Sequence, residues 1–504
     1  MGIVSAAPSI VAWSSSGGNP TYKDNPQDLI YKVQQGDTIT FTVTTNQRCD
    51  WVWEVYFGAR VIANFTENNT ETSSFTWQVP NETSTWSIDV ACMRKPSVVG
   101  PPERAIISWT ITTATLVEVN EGENIQSAID SLPEEGGIVE LKEGTWNITS
   151  PIRICNDNTT LVGQGMDKTI INQITPQTDA IVIGKFDDAI ARDHWLHENH
   201  FKMEELLERF KDHPEEIIQN VQVKRMTVNV KDAAGPFDEF ASIAGTEAIN
   251  IAVSEIKGTG NPQTEERDDD SVGVYLGHSI DITVKDCILY GYGYPARPFF
   301  SCHRVNFLYN TLSQTKGWNS LEFNGVWPLR ADWKPEDGFS GDKDYDFGPD
   351  NPGSMVRGNK VYNGGKSLYI YSSWTVTITE NSVENTYGNH EGIGIYNCGD
   401  KIVVSKNIMK GCYTAGLGVR TFTSMHCKAK IFNNIISRSK YYDSGRLAGH
   451  GITVSSNQEG KNTLYVYSNT IVGNDGDGIY NPEGWPVYAK NNIIVNNKGY
   501  GING

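Results

Sequence analysis

The sequence predicts an all-β protein: an N-terminal β-sandwich followed by a right-handed parallel β-helix with a helical insertion. Two observations carry most of this. Short alternating apolar runs separated by turn-rich segments fill the first 115 residues, at the spacing of a sandwich. An asparagine-centred turn then recurs at Asn359, Asn381, Asn407, Asn434, Asn469 and Asn492, at intervals of 22, 26, 27, 35 and 23 residues. That period fits a stacked coil of about 22 residues with loops inserted on one side. Composition agrees, since 48 glycines without enrichment in helix formers favour β-structure with many turns.

The formal charge of −18 argues against a nucleic-acid partner, because a phosphate backbone needs clustered Lys and Arg. No run approaches the roughly 18 apolar residues of a membrane helix. Residues 1–7, MGIVSAA, read as the remnant of a signal peptide, its small-residue cleavage site preceded by part of an apolar region. Five Asn-x-Ser/Thr sequons, at Asn64, Asn68, Asn81, Asn147 and Asn158, point the same way. The eight cysteines show no CxxC spacing, which disfavours a structural zinc site. An extracellular or cell-surface location is expected, with assembly at the surface among its partners.

The first unit, residues 8–115, contains the runs DTITFTVTT, WVWEVYFG, SSFTWQV, WSIDVAC and AIISWTITT. Cys49 and Cys92 sit in two of them, 43 residues apart, with Trp51 and Trp53 beside the first. An inter-sheet disulfide packed on tryptophan is the natural reading. The unit resembles the Ig-like or PKD-like modules of archaeal surface proteins, a resemblance that implies a spacer or binding module.

The second unit, residues 116–504, opens with NIQSAIDSLPEEGGIVELKEGTWNIT and DNTTLVGQG: a short helix, a Gly-Gly turn and a strand. This entry resembles the pectin-lyase-like superfamily, which implies that the helix caps the first coil and shields its unpaired edge. Cys287 and Asn310 extend the repeat backwards by another 23-residue step. Asparagine suits such a corner because it tolerates left-handed backbone and can ladder with the asparagine of the next coil. Two insertions interrupt the stack. Residues 187–218 have helical periodicity, with Trp195, Phe201, Leu206, Leu207 and Phe210 available to dock. Residues 325–353 are loop-like and rich in Trp and Asp. The final coil, NNIIVNNKGYGING, shows no cap, so the stack is expected to continue beyond residue 504.

Stacked strands align equivalent residues into columns. The strands SLEFN, SLYIY, GIGIY, GLGVR, GITVS and GIYN place apolar residues inward at their second and fourth positions. Outward positions then form one column of Glu322, Tyr369, Gly394, Gly418, Thr453 and Tyr480. A second holds Asn324, Tyr371, Tyr396, Arg420 and Ser455, and a third, just before each strand, holds Asn319, Lys366, Glu391, Ala415, His450 and Asp477. Aromatic faces stack on sugar rings, and mixed acid and base groups suit glycosidic cleavage or proton abstraction. The plain alternative is a polar exterior with aromatic stacks that only add stability.

On these columns the candidate catalytic residues are Glu322, Lys366, Glu391, Arg420 and His450, and Tyr369, Tyr371, Tyr396, Tyr480, Trp327 and Trp333 would bind a glycan. The triplet Gly449-His450-Gly451 resembles the histidine motif of polygalacturonase-type glycosidases. Their acid pair is missing from the preceding coil, GLGVRT, so inverting hydrolysis by that machinery is not expected. Superfamily lyases and epimerases imply instead a Lys, Arg, His or Tyr base, with a cation neutralising a uronate. Asp342, Asp344, Asp346 and Asp350 alternate around a glycine-bearing loop as calcium ligands do, or form a solvated acidic loop. In the helical insertion His194, His197, Glu198 and His200 lack the HExxH spacing, and a surface helix is the better reading.

Two functions are therefore expected to compete. One is a secreted or surface carbohydrate-active protein that binds a polysaccharide and cleaves or epimerises it. The other is a non-catalytic structural or adhesive protein, a β-helix rod with a sandwich spacer.

Overall fold

The computed structural model describes residues 8–504 except 18–28, 95–98, 185–194, 197–200, 202, 232–239, 261–270, 299–300, 314–318, 325–352, 363–365, 372, 374, 387–390, 400, 422–425, 442–448 and 457–460. The N-terminal sandwich is built from β1 (Ile10–Gly17), β2 (Ile30–Lys32), β3 (Thr38–Phe57), β4 (Arg60–Gln78), β5 (Thr85–Arg94) and β6 (Glu103–Thr112). The strand order is β1-β3-β5-β6-β2, with β4 pairing β3. The first half of β3 alternates buried and half-exposed residues, as the apolar period of two requires. Its inward set, with Trp86 and Trp109, makes a tryptophan-rich core in which Trp53 stacks on Trp109 at 6.1 Å. Cys49 and Cys92 are joined by a disulfide across a Cα separation of 5.9 Å, but it links the neighbouring strands β3 and β5 of one sheet and not two sheets as expected.

The rest of the chain is a right-handed parallel β-helix. A twelve-stranded parallel sheet, here sheet I, forms one side, and a 24-stranded sheet, sheet II, carries the other two. Each coil contributes one strand to sheet I and two to sheet II, for example Lys366–Tyr371, then Val376–Thr379 and Ser382–Glu384. Inside, identical positions stack: Leu368, Ile393, Leu417, Ile452 and Ile479 lie in register and are fully buried. Burying each such side chain contributes about 1.5–3 kcal/mol, and no single coil could complete its own layer. Helix α1 (Ile125–Asp130) closes the first coil. Asn124 caps it by accepting from the Ser127 N–H at 2.9 Å, and Ile125, Ala128 and Ile129 join the core.

The corner asparagines form an unbroken ladder. Each side-chain oxygen accepts from the asparagine one coil earlier, and each Nδ2 donates onward, at 2.9–3.0 Å from Asn359 through Asn492. Cys287 and Asn310 begin it, the Cys287 N–H donating to Asn310 Oδ1 at 2.9 Å. The left-handed residue is not the ladder asparagine but the one before it: Tyr309, Gly358, Glu380, Lys406, Asn433, Ser468 and Asn491 all have φ between 54° and 69°. The asparagine is selected for its amide, which replaces the hydrogen bonds that the turning backbone gives up.

The sandwich lies lengthwise on the outer side of sheet II. Its Ala59 N–H donates to Asn250 at 2.7 Å, Arg60 pairs with Asp281 at 2.7 Å, and the Gly100 N–H donates to the Lys406 carbonyl at 3.0 Å. Between these points the contact is charged and buried. Lys285 pairs with Asp89 and sits 3.3 Å over the Tyr56 ring, while Arg104 pairs with Asp286. Lys224 donates to Ser87 Oγ at 2.5 Å. Burial pushes the Lys224 ammonium down to about 7, against the pull of Asp89 and Glu255. Burial would raise the Asp89 carboxyl, but Lys285 and Lys224 hold it below its usual range.

Candidate functional site

The three expected columns exist in register on sheet I. Glu322 pairs with Tyr369, Tyr369 with Gly394, Gly394 with Gly418, Gly418 with Thr453 and Thr453 with Tyr480. Tyr371, Tyr396, Arg420 and Ser455 align beside them, and Ala415 pairs with His450. The expected open groove is not what these residues form. Glu391 and Tyr369 have no exposed surface, and Tyr396 is 4% exposed.

The reason is a swap of sides. Glu391 precedes its strand, yet its side chain lies across the outward positions of the coils beside it. Tyr369 and Tyr396 both donate to Glu391 Oε2 at 2.7 Å, their hydroxyls are 3.0 Å apart, and Arg420 pairs with Oε1. Two glycines make this seat. A Cβ at Gly418 would lie 2.5 Å from Glu391 Cγ, and one at Gly394 would lie 2.6 Å from the Tyr396 ring. Burial first, then the charge of Glu391, raises both phenols well above their ordinary value, so they stay protonated donors. Burial works against the Arg420 charge, but Glu391 more than offsets it and the guanidinium is held charged.

A second pair lies toward the N-terminal end, where Glu322 Oε2 is 3.5 Å from Arg297 Nε. Tyr371 stands between the two pairs, stacked on Tyr396 at 5.1 Å and half-exposed. Burial raises its pKa too, with Glu322 and Glu391 adding to the shift. Further along, His450 stacks flat on Tyr480 at 4.2 Å, and its Nδ1 accepts from the Asp477 N–H at 2.9 Å. That bond leaves Nε2 to carry the proton of a neutral ring. Burial lowers the His450 pKa, with Asp477 opposing it.

The face thus has a floor and a rim. The floor is Tyr369, Glu391, Tyr396, Thr453 and His450, all buried. At the rim Tyr371, Arg420, Ser455 and Tyr480 are half-exposed. Lys366 holds its predicted strand position, paired with Asn319, and its side chain lies outside the described residues. So do Trp327, Trp333 and the four aspartates Asp342, Asp344, Asp346 and Asp350. Of the sequons, Asn64, Asn68, Asn81 and Asn147 are exposed. Asn158 is half-buried, its side chain accepting from Asn220 at 2.8 Å. Column alignment did not single out Arg297; its signal was an arginine at an outward position of the strand before Glu322.

Fold and face together define a right-handed parallel β-helix protein with a docked β-sandwich and a hydrogen-bonded Tyr-Glu-Arg face. Residues 343–503 match the family model described as Periplasmic copper-binding protein (NosD). No curated protein sequence matches the chain. Among solved structures, the chain is similar to the A-module of the mannuronan C-5 epimerase AlgE6 from Azotobacter vinelandii. Identity is 12%, coverage 75% of this chain and 92% of that one, and the TM-score 0.42. The catalytic domain of a GH87 α-1,3-glucanase in complex with nigerose matches at 12% identity over 98% and 99% of the two chains, with a TM-score of 0.36. The periplasmic alginate epimerase AlgG matches at 10% identity over 78% and 85%, with a TM-score of 0.35. Likenesses at this level carry no functional argument.

The matched family's description raises copper, and the described core sulfur donors do not fit it. Among the described residues of that segment, Cys398, Cys412, Cys427 and Met409 are core side chains. Burial pushes the Cys398 and Cys412 thiols up to about 12, so neither offers a thiolate. The group of potential ligands that does converge among the described residues, His213, Glu215 and Glu216, lies elsewhere and is mostly carboxylate.

Proposed function

We propose that this chain is an exported glycan-binding β-helix protein whose binding face is the rim of sheet I between Glu322 and Tyr480. The observation that carries the reading is the pairing of the described arginines of that face. Arg297 is matched by Glu322 and Arg420 by Glu391, while Tyr371, Arg420 and Ser455 lie half-exposed at the rim with hydrogen-bonding groups to offer. A planar guanidinium locked by a buried carboxylate beside an aromatic ring suits sugar hydroxyls and ring faces. A polyuronate would need uncompensated cations, and among the described side chains of the face both arginines already have partners. The favoured ligand is a neutral polysaccharide.

Glu391 acts in this reading as a positioning residue, since two phenols and a guanidinium saturate its carboxylate. Glu322 and His450 lie four strand steps, about 19 Å, apart, so cleavage or epimerisation would fall to Glu322 with Lys366 or to His450, not to one centre that joins them. The expected calcium loop at Asp342–Asp350 would serve the same chemistry. The disulfide and the exposed sequons support export to an oxidising compartment. The matched family's description as periplasmic supports export as well.

A screen of neutral and uronate polymers, with and without calcium, tests both binding and turnover. Binding to a neutral polymer that falls at least tenfold in Tyr371→Ala, with an unchanged melting temperature, is the expected result. A second reading, a non-catalytic rod, is favoured by the lengthwise docking of the sandwich. Absence of binding and turnover across the whole panel would select it.

A further inference from the structure

The outer face of sheet I changes character along its length. In the early coils the outward column reads Val182, Ala244 and Tyr275, in register and all buried. The helical insertion covers it: Leu196 is fully buried in one cluster with these residues and Tyr294, and Trp195 packs on the same cluster. Gly277 makes the seat, since a Cβ there would lie 2.5 Å from Leu196 Cδ2. Trp195 meets His278 edge-on at 4.6 Å. The following helix, α2 (Met203–Asp212), holds the arrangement through Arg209, which pairs with Glu247 and lies 5.2 Å over the Trp195 ring. Immediately beyond, the column turns polar at Arg297 and Glu322.

We propose that Trp195 and Leu196 form an end stop, so that the rim of sheet I takes a polysaccharide by its terminus rather than along the middle of the chain. This rests on the glycan reading above. An extended polymer lying along the β-helix axis meets a column already filled by packed side chains where Arg297 gives way to Tyr275, with half-buried Trp195 outermost among the described residues and Leu196 beneath it. Passing further would mean displacing that cluster, at the cost of the apolar burial it now has. From Glu322 to Tyr480 the bed is five strand steps long. At ~4.8 Å per step that is about 24 Å, room for roughly five pyranose rings.

The test uses the full chain and linear gluco- and manno-oligosaccharides of two to eight residues, read by calorimetric titration. Octamers carrying a bulky fluorophore at one end or the other complete the set. Affinity is expected to rise with length and level off near five sugars. Blocking one end of the octamer should weaken binding at least tenfold, and blocking the other end should leave it unchanged. In the Trp195→Ala/Leu196→Ala double variant affinity should go on rising to the octamer and the penalty for the blocked end should vanish. If loss of Leu196 unfolds the chain, Trp195→Ala alone opens the outer part of the plug and should shift the plateau in the same direction. Equal affinity for both blocked octamers, or an unchanged plateau in a folded variant, overturns the end stop while leaving the glycan reading intact. Binding of no oligosaccharide by the wild-type chain removes that reading, and the end stop with it.

Discussion

At the residue scale the decisive side chain is Glu391, whose seat depends on two missing β-carbons. Gly418→Ala places a methyl against Glu391 and should cost about 1–3 kcal/mol of stability by overpacking, measured by urea unfolding. Glu391→Gln removes the charge that holds Arg420. Because the Arg420 side chain keeps 19% exposure, the expected loss is about 2–3 kcal/mol, below that of a fully buried broken pair. His450 gives a pH signature. Its folded pKa lies below the unfolded value near 6.5, so as pH falls the unfolded chain takes up the proton first. The stability linked to His450 is present above about pH 6.5 and is lost as pH falls toward the lowered folded value. His450→Asn keeps an acceptor for the Asp477 N–H without titrating. Unfolding midpoints measured from pH 7 to 5 should fall less steeply in that variant. The position of Glu391 in a column was legible from the repeat alone. Its fold-over onto the neighbouring column was not, because glycines at 394 and 418 announce empty space without saying what fills it.

At the scale of elements the corner ladder shows how local chemistry sets coil geometry. Asn407→Ala strands the Asn381 amide, which loses its Oδ1 acceptor at 2.9 Å for both the backbone N–H and Nδ2. The expected cost is about 2–4 kcal/mol, since the abandoned donors are buried. The ladder was readable because each rung repeats at the coil period. The left-handed position was misassigned by one residue, because seven different coils fill it with Tyr, Gly, Glu, Lys, Asn or Ser and so leave no compositional mark. The insertion was readable as amphipathic, and Leu206 and Phe210 do dock. Leu196 escaped notice because its partner is the absence of a side chain at Gly277.

At the scale of the molecule the sandwich and the β-helix share one buried ionic seam. Lys285→Met leaves Asp89 buried beside a weakened partner set and should destabilise the chain by about 3–5 kcal/mol. Lys224→Met should cost far less, because burial already presses that ammonium toward neutrality. Paired melting curves of the two variants check the order. None of this seam could be read from the sequence, whose alternating strands reveal which face is polar but not which polar faces meet.

The contact between Gly100 and Lys406 also constrains the order in which the protein can be made. The sandwich leaves the ribosome first, yet the last of its seats is encoded about 300 residues later. At roughly 5–20 residues per second, that is a delay of ~15–60 s during which the charged flank of a finished module faces water, waiting for coils not yet wound. Polarity is what makes the delay tolerable: an apolar flank of the same extent would invite aggregation, whereas one built from Asp89, Arg104 and Tyr56 stays hydrated until its partners arrive.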